Sequence, residues 1–191
     1  MNGLHGLHEI ILMRHGRPIL AQSRWHTPNE MQAWIAHYDQ AEVEASNAPA
    51  DSMALGASAT HVVASDLPRA LSSVRALGLN ASVVDAIYRE AQLPLLGWGF
   101  PRLPAAMWTV LLRVLWMMGY AAQAESLCAA RARARRAALR LIALAESGTV
   151  LLLGHGIMNR LIARELLALG WSSCARGRSS YWTAVSYRAR D

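Results

Sequence analysis

The chain has no lysine: across 191 residues, all nineteen Lys-or-Arg positions are arginine. A P-loop kinase, a Schiff-base aldolase and a pyridoxal enzyme each need a lysine in the site, so those chemistries are excluded. Cysteine is also scarce. Cys128 and Cys174 lie far apart, form no CxxC and have no metal-type spacing. Neither is followed six residues later by arginine, as a Cys-dependent phosphatase loop requires. A reduced, cytoplasmic chain is the expectation. Met1 to Glu9 has no charged start before an apolar run, which predicts no secretory leader. Long apolar runs are few. In the most apolar stretch, Leu103 to Tyr120, Arg113 interrupts, and each uncharged half is too short to span a bilayer. It reads as a buried or partner-facing helix, and no membrane partner is expected.

What is present describes a globular chain. Hydrophobic residues make up 53 % and charged ones 17 %, outside the range of disordered segments. The length fits one domain, residues 1–191, with an insertion. The net charge of +6 is carried by arginine alone. Such a surface favours anions, and phosphate matches the planar guanidinium fork. Polynucleotide is the other polyanion. However, the arginines from Arg131 to Arg140 spread around their helix, and no aromatic-basic motif occurs, so no nucleic-acid partner is expected.

Glu9 to Met13, His61 to Ala64, Ser82 to Val84 and Thr149 to Leu153 are short apolar runs that read as strands. Tyr181 to Tyr187 reads as a final strand. Helices are expected over Leu67 to Leu77, capped by Ser65 or Asp66, and over Ile157 to Leu169, closed by Gly170. Ala121 to Glu146 reads as a long Ala/Arg helix. Pro18 to Ala59 is polar, with a helix over Glu30 to Ala45. Leu93 to Tyr120 is rich in Pro, Gly and Trp and reads as an inserted, largely helical cap, about 92–120. Trp98, Trp108 and Trp116 are expected to pack it. Alternating strands and helices predict an α/β domain of three layers (α/β/α) with a mostly parallel central sheet.

In such sheets, ligands bind beyond the carboxyl ends of the strands. The first and fourth runs both end in His-Gly, and the second ends in Ser-Asp with Arg69 close behind. Three polar clusters therefore share one sheet edge. His15 stands in Arg14-His15-Gly16-Arg17. A histidine nucleophile must be neutral with one tautomer fixed, which a backbone carbonyl can do. Arg14 and Arg17 flank it, and at least one can hold an anion. His155 in Gly154-His155-Gly156 sits before a helix N-terminus, whose N–H groups attract anions. The dinucleotide fingerprint GxGxxG fails here, because Asn159 replaces the third glycine.

Arg14-His15-Gly16, Ser65-Asp66-Leu67-Pro68-Arg69-Ala70 and Gly154-His155-Gly156, in that order, resemble the histidine phosphatase superfamily, with its phosphoglycerate mutase-like fold. The resemblance spans about Glu9 to Tyr187. It implies that His15 accepts the phosphoryl group as phosphohistidine, and that Arg14, Arg69 and His155 hold the phosphate oxygens. Arg17 and Gly156 lie where they would join in binding. It places the acid and base at Glu90, with Asp85 in reserve. A clamp of two arginines and a histidine needs no metal, so no cofactor is expected. The chain departs from the family where Arg17-Pro18 follows the first motif with no Asn nearby, and where Gly97-Trp98-Gly99 lacks an acid. The substrate, a small phosphorylated molecule, is left undefined. The expected reaction is metal-independent hydrolysis of a phosphate monoester. Mutase-type phosphoryl transfer and a catalytically idle phosphate-binding protein are the alternatives. The apolar cap is a candidate homodimer surface.

Overall fold

The computed structural model describes residues 9–20, 25–44, 48–174 and 180–189. Its centre is strand β1, Glu9–Arg14, whose four middle residues are buried. β6 (Val150–Gly154) is buried throughout, and β3 (His61–Ala64) is buried in all but its first residue. Apolar side chains on both faces mark a sheet covered twice. The other members are β4 (Val83–Val84), β7 (Trp171–Ser173) and β8 (Ala184–Ala189), in the order β4-β3-β6-β1-β8-β7. β4, β3, β6 and β1 run parallel, β8 is antiparallel to β1, and β7 is antiparallel to β8. The expected mostly parallel α/β architecture is therefore present.

Successive strand residues point to opposite faces, and the two cores divide accordingly. Ile10, Leu12, Val150 and Leu152 pack with α5 (Leu127–Ala145) and α6 (Gly156–Ala168). On α5 the buried positions include Ala130, Ala134, Ala137, Ala138 and Leu141, a helical stripe of small residues facing the sheet. Ile11, Met13, Leu151 and Leu153 pack on the other face with Val74 and Leu77, at the end of α3 (Pro68–Ala76), and with Leu55 of α2 (Ala50–Ala57).

A third cluster lies apart from the sheet. Met31, Trp34 and Ile35 of α1 (Pro28–Asp39) meet Ala105, Trp108 and Leu112 of α4 (Ala105–Met117). A two-stranded ribbon joins the same segments: β2 (Trp25–His26) pairs antiparallel with β5 (Leu103–Pro104). Segment 92–120 therefore packs against α1 rather than standing by itself. Trp108 is buried there, while Trp98 is 62 % exposed and Trp116 belongs to the main core.

Several expectations need correction. The helix of the polar segment is α1, stopping at Asp39 rather than Ala45. It starts earlier because Thr27 and Glu30 form a reciprocal capping box, with Pro28 in the first turn. α2 and β7 were not anticipated; one follows Pro49 with no side-chain cap and the other has three residues, too few for a period. The last strand begins at Ala184 and not at Tyr181, because Trp182 (φ 62°) takes a turn conformation before it. Neither Ser65 nor Asp66 caps α3. Leu67 is its N-cap, Pro68 opens it, and Asp66 pairs with Arg89 instead. Among the described residues, no helix is long and apolar enough to cross a membrane.

Candidate active site

Register brings the polar clusters together. Arg14 pairs with Gly154 across β1 and β6, and Ala64 pairs with Leu153 across β3 and β6. The next residues, His15, Ser65 and His155, leave the sheet at one edge. His15 N–H donates to the Gly154 carbonyl (3.0 Å) and Ser65 N–H to the Leu153 carbonyl (3.2 Å).

His15 is buried, and its Nδ1 lies 2.7 Å from the Gly16 carbonyl oxygen. A carbonyl only accepts, so Nδ1 carries the proton and Nε2 keeps its lone pair. Burial, then the charges of Arg69 and Arg14, lower the His15 pKa to about 3 against the opposing pull of the Gly16 carbonyl. The ring is therefore neutral at neutral pH. Gly16 has to lack a side chain, since a Cβ there would meet Trp182 at 2.5 Å and Val43 at 2.6 Å. Its N–H donates to Ser73 Oγ (2.9 Å), and that hydroxyl donates to the Arg69 carbonyl (2.7 Å). The nucleophile loop and the first turn of α3 are thus tied through one serine.

His155 is the N-cap of α6. Its ring lies 5.0 Å from that of His15, tilted by 59°. Burial, then the charge of Arg69, holds its pKa well below the ordinary value. Neither of its ring nitrogens has a hydrogen-bond partner, and buried Arg69 Nε is likewise unsatisfied. Buried polar atoms without partners are uncommon, and here they cluster beside a potential nucleophile. Arg69 is 1 % exposed. Its NH1 donates to Asp39 Oδ1 (3.0 Å) and to the Tyr38 carbonyl (3.2 Å). The Arg14 guanidinium lies over the Tyr181 ring, 4.4 Å from its centroid, and the same ring is 5.6 Å from His15. Gly156 is adjacent, since a Cβ on it would touch Arg14 at 3.6 Å. Arg17 is exposed at the rim, 6.0 Å from the Tyr181 ring.

Glu90 reaches the start of α6. Oε1 accepts from Met158 N–H (2.9 Å) and Ala91 N–H (3.0 Å), and Oε2 accepts from Ile157 N–H (3.1 Å). The helix N-terminus expected to meet an external anion is therefore shared with an internal carboxylate. Asp85 is engaged elsewhere, accepting from Ile87 N–H (2.8 Å) within a single 3₁₀ turn, Ala86–Tyr88, and from Arg140 (2.5 Å). Gly154 is explained by packing rather than by a dinucleotide, because Asn159 Oδ1 lies against the space a side chain would fill.

Of the residues singled out from sequence, Arg14, His15, Arg69 and His155 converge, and Glu90 lies against the first turn of α6, which His155 caps. Tyr38, Asp39, Ser73 and Tyr181 join them and were not anticipated. No local motif marks them, since each meets its partners through tertiary contacts. Among the described residues, no group of three or more His, Cys, Asp or Glu is placed to hold a metal ion.

The fold is phosphoglycerate mutase-like. Residues 100–187 match the histidine phosphatase superfamily (branch 1), so the resemblance drawn from the three motifs stands. That stretch contains His155, while His15 and Arg69 precede it. Similar solved structures include TTHB049 from Thermus thermophilus (22 % identity, 96 % of this chain and 99 % of that one, TM-score 0.56). A mycobacterial glucosyl-3-phosphoglycerate phosphatase shares 22 % identity over 84 % of this chain and 79 % of its own, with TM-score 0.55. A phosphoserine phosphatase mutant from Entamoeba histolytica shares 13 % over 84 % and 80 %, with TM-score 0.52. At such identities the likeness is one of fold. No curated protein matches the chain in sequence.

Proposed function

We propose that the chain is a phosphatase that hydrolyses a small phosphate monoester through a phosphohistidine on His15, without a metal. One observation carries the reading: His15 is neutral, its proton is fixed on Nδ1 by the Gly16 carbonyl, and Nε2 is left as the nucleophile. Around it, Arg69 Nε and both His155 nitrogens are buried donors or acceptors awaiting a partner. A phosphoryl group supplies that partner, and the arginine charges neutralise its oxygens where charge is redistributed in the transition state.

The Nε2 lone pair attacks phosphorus in line, and the bond from phosphorus to the leaving oxygen breaks. Glu90 gives that oxygen a proton. The same carboxylate then takes a proton from water, the water oxygen attacks phosphorus, and the N–P bond breaks to release inorganic phosphate. A carboxylate has about four acceptor sites. Three N–H groups fill two on Oε1 and one on Oε2 of Glu90, so the travelling proton sits on Oε2. Arg14, Arg69 and His155 hold the phosphoryl oxygens, while Arg17 and Gly156 border the entrance. The phosphatases of similar fold, one for phosphoserine and one for glucosyl-3-phosphoglycerate, fit a small phosphorylated substrate.

A second reading, a phosphate-binding protein without turnover, draws on the same carboxylate, since three of its acceptor sites already serve backbone amides. Hydrolysis of p-nitrophenyl phosphate in excess chelator separates the two, with His15→Ala as the control. Turnover that survives chelator and disappears in the variant supports the phosphatase. An inactive wild type that still binds orthovanadate supports the second reading. Full activity in His15→Ala removes His15 from the mechanism.

A further inference from the structure

We infer that Asp39 is a positioning residue for Arg69, an inference that rests on the phosphatase reading above. Arg69 is the most enclosed arginine of the site, with a side chain 2 % exposed. A guanidinium carries five N–H donors in one plane, so gripping one corner fixes where the others point. The grip is on NH1. Asp39 Oδ1 accepts from it at 3.0 Å and the Tyr38 carbonyl at 3.2 Å. The Tyr38 ring lies against the guanidinium, with Cζ 4.6 Å from its centroid. All three contacts come from the last turn of α1, where the helix's terminal carbonyls carry partial negative charge and favour a cation.

The opposite part of the fork is in a different state. Nε is buried without a partner. The Arg69 charge acts on both His15 and His155, so the guanidinium is electrostatically within the site while its NH1 corner is held by the end of α1. The backbone of Arg69 is fixed independently, its carbonyl accepting from Ser73 Oγ. The far end of a long side chain still needs its own anchor, and α1 supplies it. Asp39 lies 30 residues before Arg69, so no local pattern in the sequence shows the pair. Its side chain is 42 % exposed, so it is not needed to fill the core.

The role is one of placement, and it requires an oxygen acceptor at that point more than a charge. Asp39→Asn keeps an oxygen there, whereas Asp39→Ala removes it. Steady-state turnover of p-nitrophenyl phosphate is measured for wild type and both variants, with orthovanadate affinity by calorimetry. Misplacement of one phosphate donor costs about 10- to 100-fold in turnover. Asp39→Ala is expected to lose that much kcat with a smaller change in KM and with weaker vanadate binding. Asp39→Asn is expected to regain most of both, a rescue that loss of stability alone would not follow. If active wild type and Asp39→Ala have equal kcat and vanadate affinity, Asp39 positions nothing and the phosphatase reading stands. If Asn behaves as Ala does, charge and not placement is what Asp39 provides, and the inference is overturned. If wild type neither turns over nor binds vanadate, the phosphatase reading fails and takes this one with it.

Discussion

The rings of His15 and His155 lie 5.0 Å apart, and both are held neutral by burial first and then by the charge of Arg69. Two imidazolium ions at that separation, beside arginines, would repel one another; two neutral rings leave one nucleophilic nitrogen and one hydrogen-bonding partner for an anion. The pairing has a pH signature. The free-enzyme profile, kcat/KM, reports the ionisations of the unliganded site. Since the His15 pKa is lowered to about 3, no acid limb from His15 is expected between pH 7 and pH 4. A histidine resonance that titrates near 6.5 by NMR in wild type and is absent in His15→Ala would contradict the burial described here. Stability moves the same way. The unfolded chain takes up protons on these histidines near pH 6.5 and the folded chain resists, so their contribution is intact above pH 6.5 and declines as pH falls below it, that of His15 being lost toward pH 3. Urea denaturation at pH 7, 5.5 and 4.5 measures it, with the His155→Gln chain expected to show the shallower decline.

Glu90 serves two ends at once, two N–H groups at the start of α6 with that of Ala91 and, in the proposed mechanism, a leaving oxygen. Glu90→Gln keeps an oxygen for the amides and removes the acid. Positioned general acids contribute roughly 100- to 10,000-fold. The loss is expected to be large for an alkyl phosphate, whose leaving oxygen needs a proton, and small for p-nitrophenyl phosphate, whose leaving group is stable as an anion. Equal losses on both substrates would assign Glu90 to the helix terminus alone.

Ser73 is wholly buried and joins Gly16 N–H to the Arg69 carbonyl. Ser73→Ala leaves the Gly16 N–H without a partner, a cost of about 1–3 kcal/mol for a buried group. The same change loosens the turn that aims His15, so kcat is expected to fall about tenfold or more, an effect of misplacement. Denaturant midpoints and steady-state kinetics on one preparation test both halves. A stability loss with unchanged kcat would make the bridge purely structural.

The contrast between legible and hidden parts follows from the range of the interactions. β1, β3 and β6 were readable because each is a near-continuous apolar run stopped by polar residues, a local signal of a doubly covered strand. α6 was readable to within a residue because Gly170, at φ 90°, closes it. Arg14, His15, Arg69 and His155 stood at strand ends or just beyond them, where the α/β architecture gathers ligands. Tyr38, Asp39 and Tyr181 had no such marker. Tyr38 and Asp39 sit at the end of a polar helix, and Tyr181 looked like the first residue of a strand that in fact begins at Ala184. β8 runs antiparallel to β1, which places Tyr181 back at the active edge, and nothing local in YWTAVSY states that direction. Resemblance marks Glu90 as the candidate acid, whereas its acceptance from N–H groups of a helix 67 and 68 residues away is a tertiary fact.

Trp108 tests whether the outlying cluster is coupled to the phosphate clamp. It stands on α4, buried against α1, and its Nε1 donates to the His26 carbonyl at 2.7 Å. Trp108→Ala opens a cavity in that cluster, and such truncations cost about 3–5 kcal/mol. Trp108→Phe keeps most of the apolar volume and loses the indole donor, a cost of about 1–3 kcal/mol if the carbonyl is left without a partner. The cluster is also where α1 is seated, through Met31, Trp34 and Ile35, while the other end of α1 holds Arg69 through Tyr38 and Asp39. A loosened α1 releases the NH1 corner of Arg69. Trp108→Ala is therefore expected to weaken orthovanadate binding as well as stability, and Trp108→Phe is expected to lose stability with little change in vanadate affinity. Calorimetric titration at a temperature where both variants are fully folded reads this directly. Unchanged vanadate affinity in folded Trp108→Ala would mean that α1 keeps its grip on Arg69 without support from α4.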